Sequence, residues 1–395
     1  MKKICLTVCC LLFTSMAFAD TTGLITPSNP LLAINQFMPN GMGGVGIGYV
    51  TSGSAETVNV SWHPDFKFGF FSVGLDVNLP MGGSSIPSGL DSIVWRSIAY
   101  DDGLRGLRYG VIESLTWGSG LLMDRYSTRL TGTVILDNRQ LAFVGYLNAP
   151  SDITVRALAT KTSLDGVRIE KKVNPMLTVG GSFLCDYDGV VIPAAGTNQQ
   201  VNGAGVDAKI PLPMNFEGYA EVAQLLNHGN GTSVGISWGQ DIMIAKANFS
   251  AEYRMLDKGF APGYFNSEYE YNPVNLTSLE ATGQAKNGYL IRLDADALSM
   301  ASLKATYEQY NQSNGAVSAY LYGKLPQKVE LSGYYSQPTF TDFTSLSFEQ
   351  GAILGGTLAY PINTFTDIVA HYKKAYNSAT ARVEETQYYE LRFNL

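Results

Sequence analysis

The sequence predicts an all-β fold: a transmembrane, antiparallel, up-and-down β-barrel of about 16 strands, with roughly 14 to 20 as the range. Three observations carry this. Segments of about ten residues alternate apolar and polar side chains with a period of two, and turn residues separate them. No apolar run of about 18 residues follows residue 19, so no segment of the mature chain suits a spanning helix, and a closed barrel is the other structure that can cross a bilayer. The connections also sort by length: one set is short throughout, and all the long ones fall in the other set, which holds short ones such as Asp137 to Asn138 as well, as in barrels whose two ends face different compartments.

Residues 1–19 set the compartment. Lys2 and Lys3 precede an apolar run from Ile4 to about Phe13, and Ala17, Phe18 and Ala19 precede Asp20. This is a secretory signal peptide, cleaved after Ala19. An uncleaved anchor is the alternative, and the run is too short to span. Cys9 and Cys10 lie inside the apolar run rather than after it, which argues against a lipoprotein. Removing the signal removes two lysines and no acid, so the net charge falls from −7 to −9, a balance that argues against nucleic acid as a partner. Cys5, Cys9 and Cys10 leave with it, and Cys185 alone cannot form an internal disulfide. One cysteine with His63, His228 and His371 far apart in sequence argues against a metal cluster, and no cofactor is expected. A composition of 41 Gly, 23 Tyr and 18 Phe with 15% charged residues permits a barrel, and equally a secreted sandwich or propeller.

In chain order, residues 20–44 are rich in Pro, Asn, Gly and Met and form an irregular N-terminal segment; the barrel domain is expected over 45–395. Val45 to Val50, Thr57 to Trp62 and Lys67 to Leu79 read as strands, with Pro64 and Asp65 marking a turn. A Gly- and Ser-containing linker from Pro80 to Leu90 leads to Ser92–Thr128, where Asp101, Asp102 and Gly103 join a hairpin of Ile93 to Tyr100 and Leu104 to Ile112. The glycines of Trp117 to Tyr126 allow close packing against a barrel wall or into its lumen, and an ordinary glycine-rich hairpin is the alternative. Regular strands are clearest from 128: 128–136, 139–148, 153–161, 166–173, 176–188, 201–213, 216–228, 232–240, 243–256, 288–297, 300–311, 315–325, 327–338, 350–361, 366–376 and 383–395. With a periplasmic C-terminus, every second connection is periplasmic, and that set is short throughout, while 189–200, 256–288, 339–349 and 377–382 fall in the other set.

The last strand reads VEETQYYELRFNL, with Gln387, Tyr389, Leu391, Phe393 and Leu395 on one face. It resembles the closing strand of Gram-negative outer-membrane β-barrels, departing from them in ending on Leu395 rather than an aromatic residue. That resemblance implies the outer membrane as location, its lipid as surroundings, and recognition of the strand by the barrel-assembly machinery. Trimers are common among the general porins that the chain is similar to, so a homotrimer is an open expectation without an interface signature. The Ser92–Thr128 passage resembles one in large exported barrel proteins and implies no chemistry.

If the apolar positions face lipid, the opposite face lines the lumen. It carries Lys246, Glu252, Arg254, Arg292, Asp294 and Asp296 on two neighbouring strands. It continues with Lys304, Glu308, Lys324, Lys328, Glu330, Asp367, His371, Lys373, Glu390 and Arg392. Interleaved charges suit a hydrated pore that sorts small polar solutes, whereas a lumen closed by salt-bridged side chains would conduct nothing. The 256–288 connection, with Phe260, Tyr264, Phe265, Glu268, Tyr269, Glu270 and Tyr271, suits an inward constriction, a recognition surface or a solvated loop. Asp367 and His371 lie about 13 Å apart along one strand, too far for a catalytic pair, and the chain is not read as an enzyme. The expected function is passive diffusion of small hydrophilic solutes. The rival is a structural or adhesive barrel whose outer loops bind a partner while residues 20–44 or 117–126 plug the lumen.

Overall fold

A wall strand that is apolar on one side only must either meet a second layer or face lipid, and here it faces outward. The computed structural model describes residues 45–393, apart from 53–54, 63, 82–92, 113, 129–140, 189, 193–196, 199, 243, 268, 271–272, 298–299, 312–314, 326–328, 341–351, 365 and 378–381. The expectations for 1–44, 129–136, Glu268, Tyr271 and Lys328 lie outside the described residues. So do those for Leu395 and for the side chains of Glu390 and Arg392.

The wall begins with β1 (Val45–Ser52), β2 (Ala55–Trp62), β3 (Asp65–Phe68), β4 (Phe71–Met81), β5 (Ile93–Asp101) and β6 (Arg105–Val111). A short pair, β7 (Leu115–Trp117) and β8 (Met123–Tyr126), then leaves the wall. The wall resumes with β9 (Leu141–Ala149), β10 (Ile153–Thr160), β11 (Leu164–Asn174) and β12 (Leu177–Asp186). After a second small pair, β13 (Val190–Ile192) and β14 (Thr197–Asn198), come β15 (Val201–Leu212), β16 (Phe216–Leu225), β17 (Gly229–Ile242) and β18 (Ala245–Leu256). A loop with one short helix, α1 (Leu276–Thr282), leads to β19 (Lys286–Ala297), β20 (Ala301–Tyr310), β21 (Gly315–Lys324) and β22 (Glu330–Phe340). Finally come β23 (Ile353–Asn363), β24 (Thr366–Asn377) and β25 (Arg382–Phe393).

Every pairing in the main sheet is antiparallel, and β25 returns to β1 with Phe393 opposite Val45, so the sheet closes without an edge. Of its 21 strands among the described residues, β2 and β3 pair end to end with β4, so the wall has one fewer, 20. The number lies above the central expectation because the strands before residue 112 join the wall and β6 pairs directly with β9. The segment Lys67 to Leu79 is not one strand: Gly69, at φ +59°, turns the chain between Phe68 and Phe71, and Pro64–Asp65 interrupts a strand without reversing it.

Outward side chains are apolar and exposed, as Val206 (67%) and Val222 (56%) show. Aromatic residues mark both ends of this face. Phe71–Tyr100 and Phe216–Trp238 ring pairs lie toward the short turns, and Tyr109–Phe143 and Tyr289–Tyr307 toward the long loops. Aromatic bands of this kind suit the two interfaces of a bilayer.

Inside, the segment 112–128 folds into the lumen. Its base is pinched by Ile112 and Thr128, which exchange two hydrogen bonds of 2.9 and 3.0 Å. Trp117, Leu121, Leu122, Met123 and Tyr126 are fully buried against Leu158, Leu164, Leu184, Val201 and Ala223 of the wall. The long loop between β18 and β19 covers them with Phe260, Tyr264, Phe265 and Tyr269. The wall makes room with small residues: a Cβ on Gly203 would lie 2.7 Å from Leu122, and one on Gly166 2.8 Å from the Trp117 ring. Trp117→Ala is expected to cost about 3–5 kcal/mol of this packing. Proteolysis should then cut within 112–128 far faster than in wild type, while heat-modifiable migration of the barrel on a gel persists.

Candidate functional site

The two infolded segments are joined by backbone as well as by side chains. Gly263 and Phe265 donate to the carbonyls of Leu121 and Leu122 at 2.8 and 3.2 Å, and Asp124 donates to Phe265 at 3.0 Å. Tyr264, Phe265 and Tyr269 form mutual ring contacts at 4.9–5.2 Å. Tyr269 anchors the loop to the wall through its hydroxyl, which donates to Asp186 at 2.6 Å, and the Tyr126 hydroxyl donates to Glu270.

A buried carboxylate ties the hairpin tip to β16. Glu221, 3% exposed, accepts from the Ser119 amide and hydroxyl, each at 2.6 Å, and from the Leu121 amide at 3.4 Å. The Ser119 hydroxyl also meets Ser233 of β17 at 3.0 Å. Gly118 has φ +65°, and a Cβ there would strike the Glu221 carboxyl, so the close turn over this acid requires glycine.

On the opposite side of the hairpin, Arg292 of β19 donates to Asp124 at 2.7 Å and to the Ser119 carbonyl at 3.2 Å. Arg125 donates to Thr306 of β20 at 3.2 Å. Between hairpin and wall lies a cavity of about 170 Å³, with Thr116, Asp124 and Arg125 on one side. Arg292, Asp294, Lys304, Thr306, Ser318 and Tyr320 form the other. Burial works to raise the Asp124 pKa, but Arg292, then Arg125 and Arg254, outweigh it and hold the carboxyl below its ordinary value. For Glu270 burial prevails over the hydrogen bonds from Tyr126 and Thr162, and the pKa is raised.

The charged residues singled out in the sequence fall into four groups. Arg292, Asp294 and Lys304 meet at the cavity. Glu252 and Arg254 form a buried pair nearer the long loops, bonded at 2.5 Å, with the partly exposed Glu308 3.5 Å from Arg254. Lys246, Asp296, Lys324 and Glu330 lie toward the short turns, where Lys246 pairs with Asp241 at 3.1 Å and Lys324 with Glu330 at 2.8 Å. Farther round the wall, His371 bonds Thr357 at 3.0 Å, and Lys373 stands opposite Gly355. Tyr264, Phe265, Tyr269 and Glu270 belong to the infolded loop. Among the described residues, no group of three or more His, Cys, Asp or Glu is placed to hold a metal.

Sequence reasoning passed over Glu221, Arg168 and Asp207, although the same alternation puts them inward on β11, β15 and β16. Arg168 grips Asp207 with two hydrogen bonds of 2.6 and 2.9 Å. Asp124 and Arg125 carried no periodic signal, because they sit on a segment that leaves the sheet.

No family model and no curated protein sequence matches the chain. It is similar in structure to Wzi of Escherichia coli, described as an outer-membrane, carbohydrate-binding β-barrel involved in group 1 capsule assembly. The identity is 13% over 90% of this chain and 85% of that one, with a TM-score of 0.42. It is similar to a BenF-like porin from Pseudomonas fluorescens Pf-5, at 10% identity over 91% and 100% of the two chains and a TM-score of 0.42. Pseudomonas aeruginosa OccK11 (OpdR) gives 9% identity over 89% and 94%, with a TM-score of 0.40. Likenesses this distant assign no residue and no solute. The class rests on the chain's own geometry: an even, closed, antiparallel ring, apolar outside with aromatic bands and charged inside, is a porin-like β-barrel.

The two acids of the infolded segments respond to pH in opposite senses. Asp124, with its pKa lowered, stabilises the hairpin above the ordinary carboxylate value of about 4, and that contribution is lost as pH falls through the lowered value. Glu270, with its pKa raised, costs stability when ionised, so acidification from neutrality through that raised value tightens the loop. Protease resistance of the Glu270 loop should therefore rise as pH falls from neutrality through the raised Glu270 value, whereas the hairpin should become cleavable only as pH falls through the lowered Asp124 value. Glu270→Gln should flatten the first change, and Asp124→Asn should leave the hairpin cleavable at every pH.

Proposed function

We propose that the chain is an outer-membrane channel for small hydrophilic solutes, exported by way of residues 1–19, with its constriction between the infolded hairpin and the β19–β21 wall. The observation that carries this reading is the polar cavity there: charged and hydroxyl groups converge from both sides on a space that the hydrophobic part of the infolded segments leaves unfilled. Twenty strands enclose far more room than wall side chains fill, since roughly eight already suffice for a side-chain-filled interior. Interleaved charges at a narrowing bias passage by charge and size. The β25 strand, with exposed Tyr389 and Leu391 outward, is the segment offered to the assembly machinery.

A second reading has its own observation. The core that joins the two infolded segments to the wall is a contiguous cluster of buried hydrophobic side chains, which suits a barrel kept shut while its outer loops bind a partner.

Single-channel recording of the refolded mature protein separates the two. The channel reading expects stable conductance steps, with Lys304→Gln moving the reversal potential toward cation selectivity. Insertion without steps, combined with steps after residues 115–126 are replaced by a short glycine linker, would favour the shut barrel.

A further inference from the structure

The charges at the constriction are arranged in two rows. Across β19, β20 and β21, Arg292, Thr306 and Ser318 are register partners, and so are Asp294, Lys304 and Tyr320. The rows are two residues apart along the strands, about 7 Å. Asp124 is already taken by Arg292 in the first row, at 2.7 Å. Arg125, 3.7 Å from Asp124 and with its guanidinium donating to Thr306, adds a cation to the cavity from the hairpin side.

Asp294 differs from the other acids at this point. Among the described residues its carboxylate makes no hydrogen bond or ion pair, yet it lines the cavity within the fields of Lys304, Arg125 and Arg292. The cavity therefore presents the Asp294 carboxylate beside three cations, Arg125, Arg292 and Lys304, the first two of which also pair with Asp124, with the hydroxyls of Thr116, Thr306 and Ser318 among them. A simple anion would use the cations and be repelled by Asp294. A simple cation would meet Asp294 and be repelled by Arg125 and Lys304. A solute carrying both charges satisfies both sets.

We propose that this cavity is a binding site for a small zwitterion of the α-amino-acid type, its carboxylate toward Arg125 and Lys304 and its ammonium toward Asp294. The volume, about 170 Å³, lies below the ~300 Å³ of sites that enclose drug-sized ligands, which limits the solute to a few non-hydrogen atoms. The inference rests on the channel reading for how the solute arrives, but binding is read without current. A barrel that binds and does not conduct would sink the channel and leave the site standing.

The test is equilibrium binding to the full mature chain refolded in detergent, measured by calorimetry with three probes: L-alanine, acetate and ethylammonium. Alanine is expected to bind at least about tenfold more tightly than either half-molecule, the worth of one added charge-assisted hydrogen bond. Asp294→Asn should weaken alanine about tenfold and leave acetate unchanged or tighter. Lys304→Gln should weaken alanine and acetate alike. Heat-modifiable migration confirms that each variant is folded. Acetate binding as tightly as alanine, alanine binding that is indifferent to Asp294→Asn, or no alanine binding to the folded wild type would each overturn the proposal.

Discussion

A closed wall of twenty strands encloses a volume that its own inward side chains cannot fill, and the rest of the structure follows from how the chain deals with that space. Closure itself is set by the backbone: in lipid an unpaired strand edge is too costly, so β1 and β25 must meet. Once they meet, the lumen must hold either water or protein. This chain does both. Two segments from the long-loop end fold inward and build a hydrophobic core against β9 to β18, while polar side chains hold the space beneath and beside them.

The division depends on local chemistry at the boundary. Gly166 and Gly203 clear the wall for Trp117 and Leu122, and without that room the hairpin could not seat. Several of the hairpin's polar groups are then answered by the wall: backbone amides by Glu221, the Asp124 carboxylate by Arg292, and the Arg125 guanidinium by Thr306, while the Trp117 indole N–H is buried with no hydrogen-bond partner among the described residues. Each of these contacts offsets the desolvation cost of a buried polar group, so together they fix the depth and angle at which the hairpin sits. The same contacts bring charge to the edge of the remaining space. In that sense the cavity is a product of how the hairpin is held.

Much of this was legible in the sequence, for identifiable reasons. Strands such as β18, with Phe249, Ala251, Tyr253 and Met255 outward against Ser250, Glu252 and Arg254, carry the period of two because one side meets lipid and the other does not. The early strands were read one by one and placed within the barrel domain over 45–395, but their short, glycine-interrupted form left the strand number open between about 14 and 20. The reversal at Gly69 was missed because Phe68, Phe70 and Phe71 continue an apolar run through the turn. Inward folding of Trp117 to Tyr126 was visible only as an option, since glycine permits close packing without saying where. The partners of that hairpin, Glu221 and Arg292, lie more than 90 residues away, and no local pattern links them to it.

The central claim is that the infolded segments form a packed core inside the lumen, as firmly held as the wall around them. Amide hydrogen exchange on the refolded barrel tests it most directly, at Asp124, Gly263 and Phe265, whose amides bond only between the two segments. The account predicts exchange at these three positions as slow as at wall amides of β18. Exchange as fast as in a solvent-exposed loop would contradict it and leave the lumen without its core.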